Sequence, residues 1–171
     1  MLTLAELSQF ATQLPGARFV KQVGPFVLLQ HAAGEVLREG DERRRTALIS
    51  KGAMVRKSVE IKGELASLEV VLIPPMSGGF VLKVGRAPDN DLILEDTSSS
   101  KHHATLTWRN GLGILTDLGS MNGTTVNGET LEPSAERGLR DGEVISFGGT
   151  QFVYYTAPRI YDILGSASFS S

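Results

Sequence analysis

Three short polar runs carry side chains suited to holding an anion: Gly85-Arg86, Ser99-Ser100-Lys101-His102-His103-Ala104 and Gly119-Ser120-Met121-Asn122-Gly123-Thr124. A phosphate monoester is a dianion rich in acceptor oxygens, and a guanidinium meets it with paired charge-assisted hydrogen bonds, so Arg86 is the first candidate for such a contact. The competing use of Arg86 is an ion pair with a nearby carboxylate, Asp89 or Asp91. Ser100 can donate its hydroxyl hydrogen to a phosphate oxygen, and Lys101 can add a mobile point charge without the fork of arginine. Asn122 offers an amide donor and a carbonyl acceptor, the equipment needed to grip the main chain of an extended peptide. His102 and His103 make a poor metal site, because consecutive strand residues face opposite ways and no third ligand cluster accompanies them. Ser100, His103 and Asp117 are the residue types of a hydrolytic triad, which leaves a Ser/His hydrolase as a remote alternative, although no nucleophile elbow or oxyanion motif goes with them.

The elements that must position these residues read as strands. Leu68 to Ile73, Phe80 to Val84, Asp91 to Leu94, Ala104 to Arg109, Leu112 to Asp117, Val144 to Phe147 and Gln151 to Tyr155 are rich in β-branched and aromatic residues. In one of them Ala104, Leu106 and Trp108 alternate with Thr105, Thr107 and Arg109, which gives one buried and one wet face. Asn110-Gly111, Asn127-Gly128, Asp141-Gly142 and Gly148-Gly149 supply the tight turns that antiparallel strands require. So many short strands with no convincing helix between them predict an all-β antiparallel sandwich and exclude a parallel α/β fold.

The first third of the chain is different. Thr3-Leu4-Ala5-Glu6 reads as a capping box and predicts a helix over 4–14, stopped by Pro15-Gly16. Arg18 to Gln22 and Pro25 to Gln30 flank Gly24-Pro25 and suggest a hairpin or two strands over 17–31, packing on or beside the sandwich. Residues 34–62 are polar, and a surface helix and a mobile stretch both satisfy that composition. The expected division is therefore an N-terminal α/β extension over 1–65, the sandwich over 66–158 and a C-terminal tail over 159–171. The extension holds 10 basic and 7 acidic residues, net +3, and the remainder 7 and 12, net −5. The whole chain of 171 residues carries −2, too little for a global field that would draw it onto nucleic acid or an anionic membrane. It contains no cysteine, so disulfide frameworks and thiolate chemistry are ruled out. The longest uncharged stretches, Gln22 to Gly34 and Val70 to Leu82, contain Gly or Pro and fall well short of the about 20 apolar residues of a membrane helix. With no basic leader before Glu6, the expected compartment is the cytoplasm.

Taken together and in order, Gly85-Arg86, Ser100-Lys101-His102-His103, Asn122-Gly123-Thr124 and Asn127-Gly128 resemble the motifs of the forkhead-associated (FHA) domain, over about Leu68 to Thr156. The resemblance implies a sandwich of about eleven strands whose loops at one end bind phosphothreonine peptides. It implies that Arg86, Ser100, Lys101 and Asn122 contact the phosphopeptide, and that Gly85, His103, Gly123, Thr124 and Asn127 support the binding loops. Lys101 stands where many relatives carry Arg, His102 is expected to be exposed, and Asp117 falls at an ordinary strand-end position of the family. Met121 is expected to neighbour the pocket for the threonine γ-methyl group.

The function so implied is a non-enzymatic adaptor, without metal or cofactor, that binds a phosphothreonine protein downstream of Ser/Thr kinases. A phosphate-independent assembly module is the alternative. Thr46 follows Arg43-Arg44-Arg45, the upstream arginines that a basic-directed kinase seeks, and the resemblance implies that the third residue after a phosphothreonine, here Ile49, is a position the domain reads, so phosphorylated Thr46 is a candidate ligand for the same domain or for a neighbouring copy.

Overall fold

The computed structural model describes residues 2–30, 59–61, 69–73, 79–165 and 167–169. In chain order it begins with β1 (Leu2–Thr3), α1 (Leu4–Gln13), α2 (Gly16–Val23), β2 (Phe26–Gln30), β3 (Val59–Ile61) and β4 (Glu69–Leu72). Next come β5 (Phe80–Gly85), β6 (Leu92–Ile93), β7 (Ala104–Arg109), β8 (Leu112–Asp117), β9 (Thr124–Val126), β10 (Glu129–Thr130) and β11 (Glu136–Gly138). The chain closes with β12 (Val144–Phe147), β13 (Thr150–Thr156), α3 (Ala157–Gly165) and β14 (Ala167–Phe169). One sheet has seven strands in the order β1-β4-β2-β13-β12-β9-β10, and the facing sheet has five in the order β11-β8-β7-β5-β6. All pairs in them are antiparallel except β5 with β6, and β3 and β14 form a separate parallel pair.

Two cores share the seven-stranded sheet. Phe26 and Leu28 of β2, Phe147, Phe152 and Tyr154 point toward the five-stranded sheet and meet Phe80, Leu82, Leu106 and Leu115. Val27, Leu29, Val153 and Tyr155 point the other way, onto Leu4 and Leu7 of α1, Phe19 and Val23 of α2, and Ile160 and Leu164 of α3. The molecule is therefore a sandwich with a third, helical layer on one side. This explains a difference in strand patterns. In β2, Phe26 to Leu29 are all buried because both faces are covered, whereas β7 alternates because the outer face of the five-stranded sheet is open to water.

The capping box forms as expected, with the Thr3 N–H donating to Glu6 Oε2 at 2.7 Å and the Glu6 N–H donating to Thr3 Oγ1 at 3.3 Å. Two expectations fail. Residues 16–23 are a helix and not the first arm of a hairpin. Pro15 supplies a φ of −58° at the N-cap, and Phe19 and Val23 lie one turn apart on the buried face. The helix stops at Gly24, whose φ of +94° and whose approach to the Ile73 carbonyl, 2.0 Å from where a Cβ would sit, both demand glycine. Residues 159–165 are likewise not a tail. Ile160, Ile163 and Leu164 recur at helical spacing and are buried, and Pro158 is tolerated because it lies in the first turn. The strand read at 25–30 is present, but as an interior strand of the sheet, between β4 and β13. The polar segment 34–62 falls outside the described residues except for β3.

Candidate functional site

The connections β5–β6, β6–β7 and β8–β9 meet, and their contacts are largely main-chain. The Arg86 N–H donates to the Ser100 carbonyl at 2.9 Å and the Ala87 N–H to the Lys101 carbonyl at 3.0 Å. Gly85 is what permits this approach: a Cβ there would stand 2.2 Å from the Lys101 carbonyl oxygen. The same carbonyl accepts from the Asn90 side-chain amide at 2.7 Å, so the buried Asn90 staples the two loops together. The Arg86 side chain is exposed and spends only Nε, on the Ser99 carbonyl at 3.2 Å. Among the described residues it makes no ion pair. Asp91 instead accepts from the Lys83 N–H at 2.8 Å, and Asp89 lies 3.8 Å from His102. Neither carboxylate that the sequence offered to Arg86 pairs with it.

The serine run is not a loose tip, because each hydroxyl has its own task. Ser98 Oγ bonds Asp96 and the Gly149 N–H, Ser99 Oγ is buried and donates to the Phe147 carbonyl, and Ser100 Oγ accepts from the Met121 N–H at 2.9 Å. Ser100 therefore keeps its hydroxyl hydrogen for another acceptor. Asn122 is exposed and donates its amide to the Ser98 carbonyl at 2.7 Å, which leaves its carbonyl oxygen and second amide hydrogen without a partner among the described residues. Lys101 and His102 are exposed.

His103 is fully buried and joins the loops. Its Nδ1 accepts from the Ser100 N–H at 3.0 Å, which places the ring proton on Nε2, 3.0 Å from the Gly123 carbonyl. Asp117 is buried and takes four hydrogen bonds: from the N–H groups of Gly119 and Ser120, from Ser120 Oγ at 2.5 Å and from Thr124 Oγ1 at 2.6 Å. Burial pushes its carboxyl up, but the hydroxyls of Ser120 and Thr124 and the two backbone donors outweigh that and hold it below the ordinary value. Asp117 is thus the anchor of the 118–123 loop and not an ordinary strand end. The hydrolytic triad fails on this geometry, since both nitrogens of His103 are committed to the backbone and Asp117 is bonded to its own loop.

Most residues singled out in the sequence lie together here: Gly85, Arg86, Ser100, Lys101, His103, Asn122, Gly123 and, through Asp117, Thr124. Asn127 does not. Its Oδ1 accepts from the Val144 N–H at 2.9 Å, so it ties the β9–β10 turn to β12, beyond Val126 and away from the loops. Met121 is 90% exposed and encloses no pocket by itself. Thr46 lies outside the described residues. Asn90, Asp96 and the loop-anchoring role of Asp117 escape the sequence reading. For Asp117 the signal was present in Asp117-Leu118-Gly119-Ser120, an aspartate followed by turn residues whose N–H groups its side chain can cap.

Residues 82–148 match the FHA domain family model. The chain is 33% identical over 79 residues to the glycogen accumulation regulator GarA of Mycobacterium tuberculosis, a match covering 46% of this chain and 47% of GarA. It is 39% identical over 70 residues to the FHA domain-containing protein FhaA of the same organism, covering 41% of this chain and 13% of FhaA. The chain thus spans about half of GarA and a small part of FhaA. Among solved structures, the FHA domain of CT664 from Chlamydia trachomatis superposes with a TM-score of 0.51 over 77% of this chain and 96% of that one, at 22% identity, a likeness of fold. The FHA match thus covers residues 82–148 and not the rest of the chain, and over that part the chain is similar to GarA and FhaA.

Proposed function

We propose that this chain is a cytoplasmic adaptor that binds a phosphothreonine protein downstream of Ser/Thr kinases, without catalysis. One observation carries the reading: among the described residues, the exposed Arg86 guanidinium spends only its Nε and the Ser100 hydroxyl hydrogen has no acceptor, on adjoining stretches of backbone. Lys101 adds charge, Asn122 holds the peptide main chain, and His103, Gly123 and Thr124 brace the loops. Titration with a phosphothreonine peptide library tests it. Binding is expected to fall at least about tenfold when the phosphate is removed or when Arg86→Ala is introduced, and to weaken with salt. Wild-type protein indifferent to phosphorylation would overturn the reading.

Phosphorylated Thr46 is proposed as one ligand, for its own domain or for a second copy. Gln30 and Glu69, the described residues that bracket this part of the chain, with only β3 described between them, pair with each other. Gln30 also pairs with Phe152 at the end of the sheet where the Gly149 N–H meets Ser98. Incubation with a basic-directed kinase followed by mass spectrometry should find the modification; its absence from Thr46 removes this ligand. A phosphate-independent assembly role has in its favour Val81 and Ile93, exposed by 54% and 50% on the five-stranded sheet. Partner binding that survives Arg86→Ala would select it.

A further inference from the structure

The two outer faces of the sandwich differ. Helices cover that of the seven-stranded sheet, whereas among the described residues no helix or strand lies on that of the five-stranded sheet. The strand register sets the outward residues of β5, β7, β8 and β11 in rows: Lys83, Thr105, Thr116 and Glu136 in one, Val81, Thr107, Ile114 and Gly138 in the next. Lys83 and Glu136 are exposed, and Val81 is exposed by 54%. Each row is complementary to its own reverse. When two such faces pack with their strands aligned, a two-fold axis between them, running along the strands between β7 and β8, exchanges β5 with β11 and β7 with β8. It sets Lys83 of one copy over Glu136 of the other, Thr105 over Thr116, Thr107 over Ile114 and Val81 over Gly138. Cation thus meets anion, and the projecting valine meets the position that has no side chain. Glu136 already takes a bond from Arg109 at 3.0 Å, but both side chains are more than half exposed, and a surface pair of this kind is weak enough for Glu136 to share.

We infer that the outer face of the five-stranded sheet binds a second copy of this chain, face to face and without phosphate. The inference goes beyond the phosphothreonine reading and does not rest on it. Five strands about 4.8 Å apart and six residues long at about 3.3 Å each make a face of about 400 Å², about half of the about 800 Å² per partner in a standard interface, so the dimer is weak and reversible. Sedimentation equilibrium of the phosphatase-treated full chain, at concentrations up to about 1 mM, tests it. The wild type should dimerise. Lys83→Glu and Glu136→Lys should each raise the dimer dissociation constant at least about tenfold, because like charges then face each other. An equimolar mixture of the two variants should recover the wild-type constant, because both facing pairs are again opposite in sign. Mixing cannot repair a loss of the internal pair with Arg109, so the recovery belongs to the contact between copies. Val81→Asp should weaken the dimer as much as either charge reversal, with thermal melts confirming that every variant is folded. A wild type monomeric throughout, a dimer unmoved by these substitutions, or charge variants that mixing does not rescue would overturn the inference, and none of these outcomes touches the phosphopeptide titration.

Discussion

Asp117 concentrates four donors on two oxygens at the root of the loop that carries Asn122. Replacing it with Ala would strand the Thr124 hydroxyl, which is buried, and two loop N–H groups. The expected loss of stability is about 2–3 kcal/mol, together with weaker phosphopeptide binding, read by thermal melting and by titration. Because hydrogen bonds hold the folded carboxyl below its unfolded value of about 3.9, its stabilisation is complete above that pH and is lost as the pH falls through the lower folded value. The melting temperature of Asp117→Asn should therefore fall less steeply than that of the wild type below about pH 4, and equal slopes would refute the assignment. At this scale the sequence was most readable where a group must face outward. Arg86, Ser100 and Asn122 declare their chemistry without their neighbours. Gly85 was recognisable too, but the reason for it, the Lys101 carbonyl, is a contact across the fold.

Elements were legible in proportion to how local their causes are. The capping box at Thr3 and Glu6 and the alternation of β7 are written in adjacent residues, and both appear where expected. β9, β10 and β11 have two or three residues each, too few to show a period, and exist because neighbouring strands supply their partners. The misreading of α2 has a specific origin. Gly24-Pro25 reads locally as a turn between strands, whereas Gly24 ends a helix whose Phe19 packs against Tyr161 of α3 with ring centroids 5.1 Å apart and the rings tilted by 52°. That partner is more than a hundred residues away in the chain, as is the Leu14 carbonyl from the Tyr161 hydroxyl that donates to it.

For the molecule as a whole, the seven-stranded sheet depends on β2 in its interior, between β4 and β13. Phe26, Val27, Leu28 and Leu29 are all fully buried, and removing them would forfeit about 1.5–3 kcal/mol each, together comparable to the about 5–15 kcal/mol that holds a domain folded. A fragment limited to residues 66–158 should accordingly lack a cooperative thermal transition, as measured by circular dichroism. A sharp melt within a few degrees of the full chain would show that the sandwich stands without its first strands. Charge adds a second point at this scale: the net −2 conceals exposed Arg86 and Lys101 on adjoining loops of a half that is itself acidic. Finally, the single tryptophan, Trp108, sits on the five-stranded sheet with its ring 5.7 Å from that of Phe26 on the other. The protein thus carries an intrinsic fluorophore at the seam between its sheets. Its emission wavelength will report whether β2 is docked, so the integrity of the seam can be followed in solution without any label.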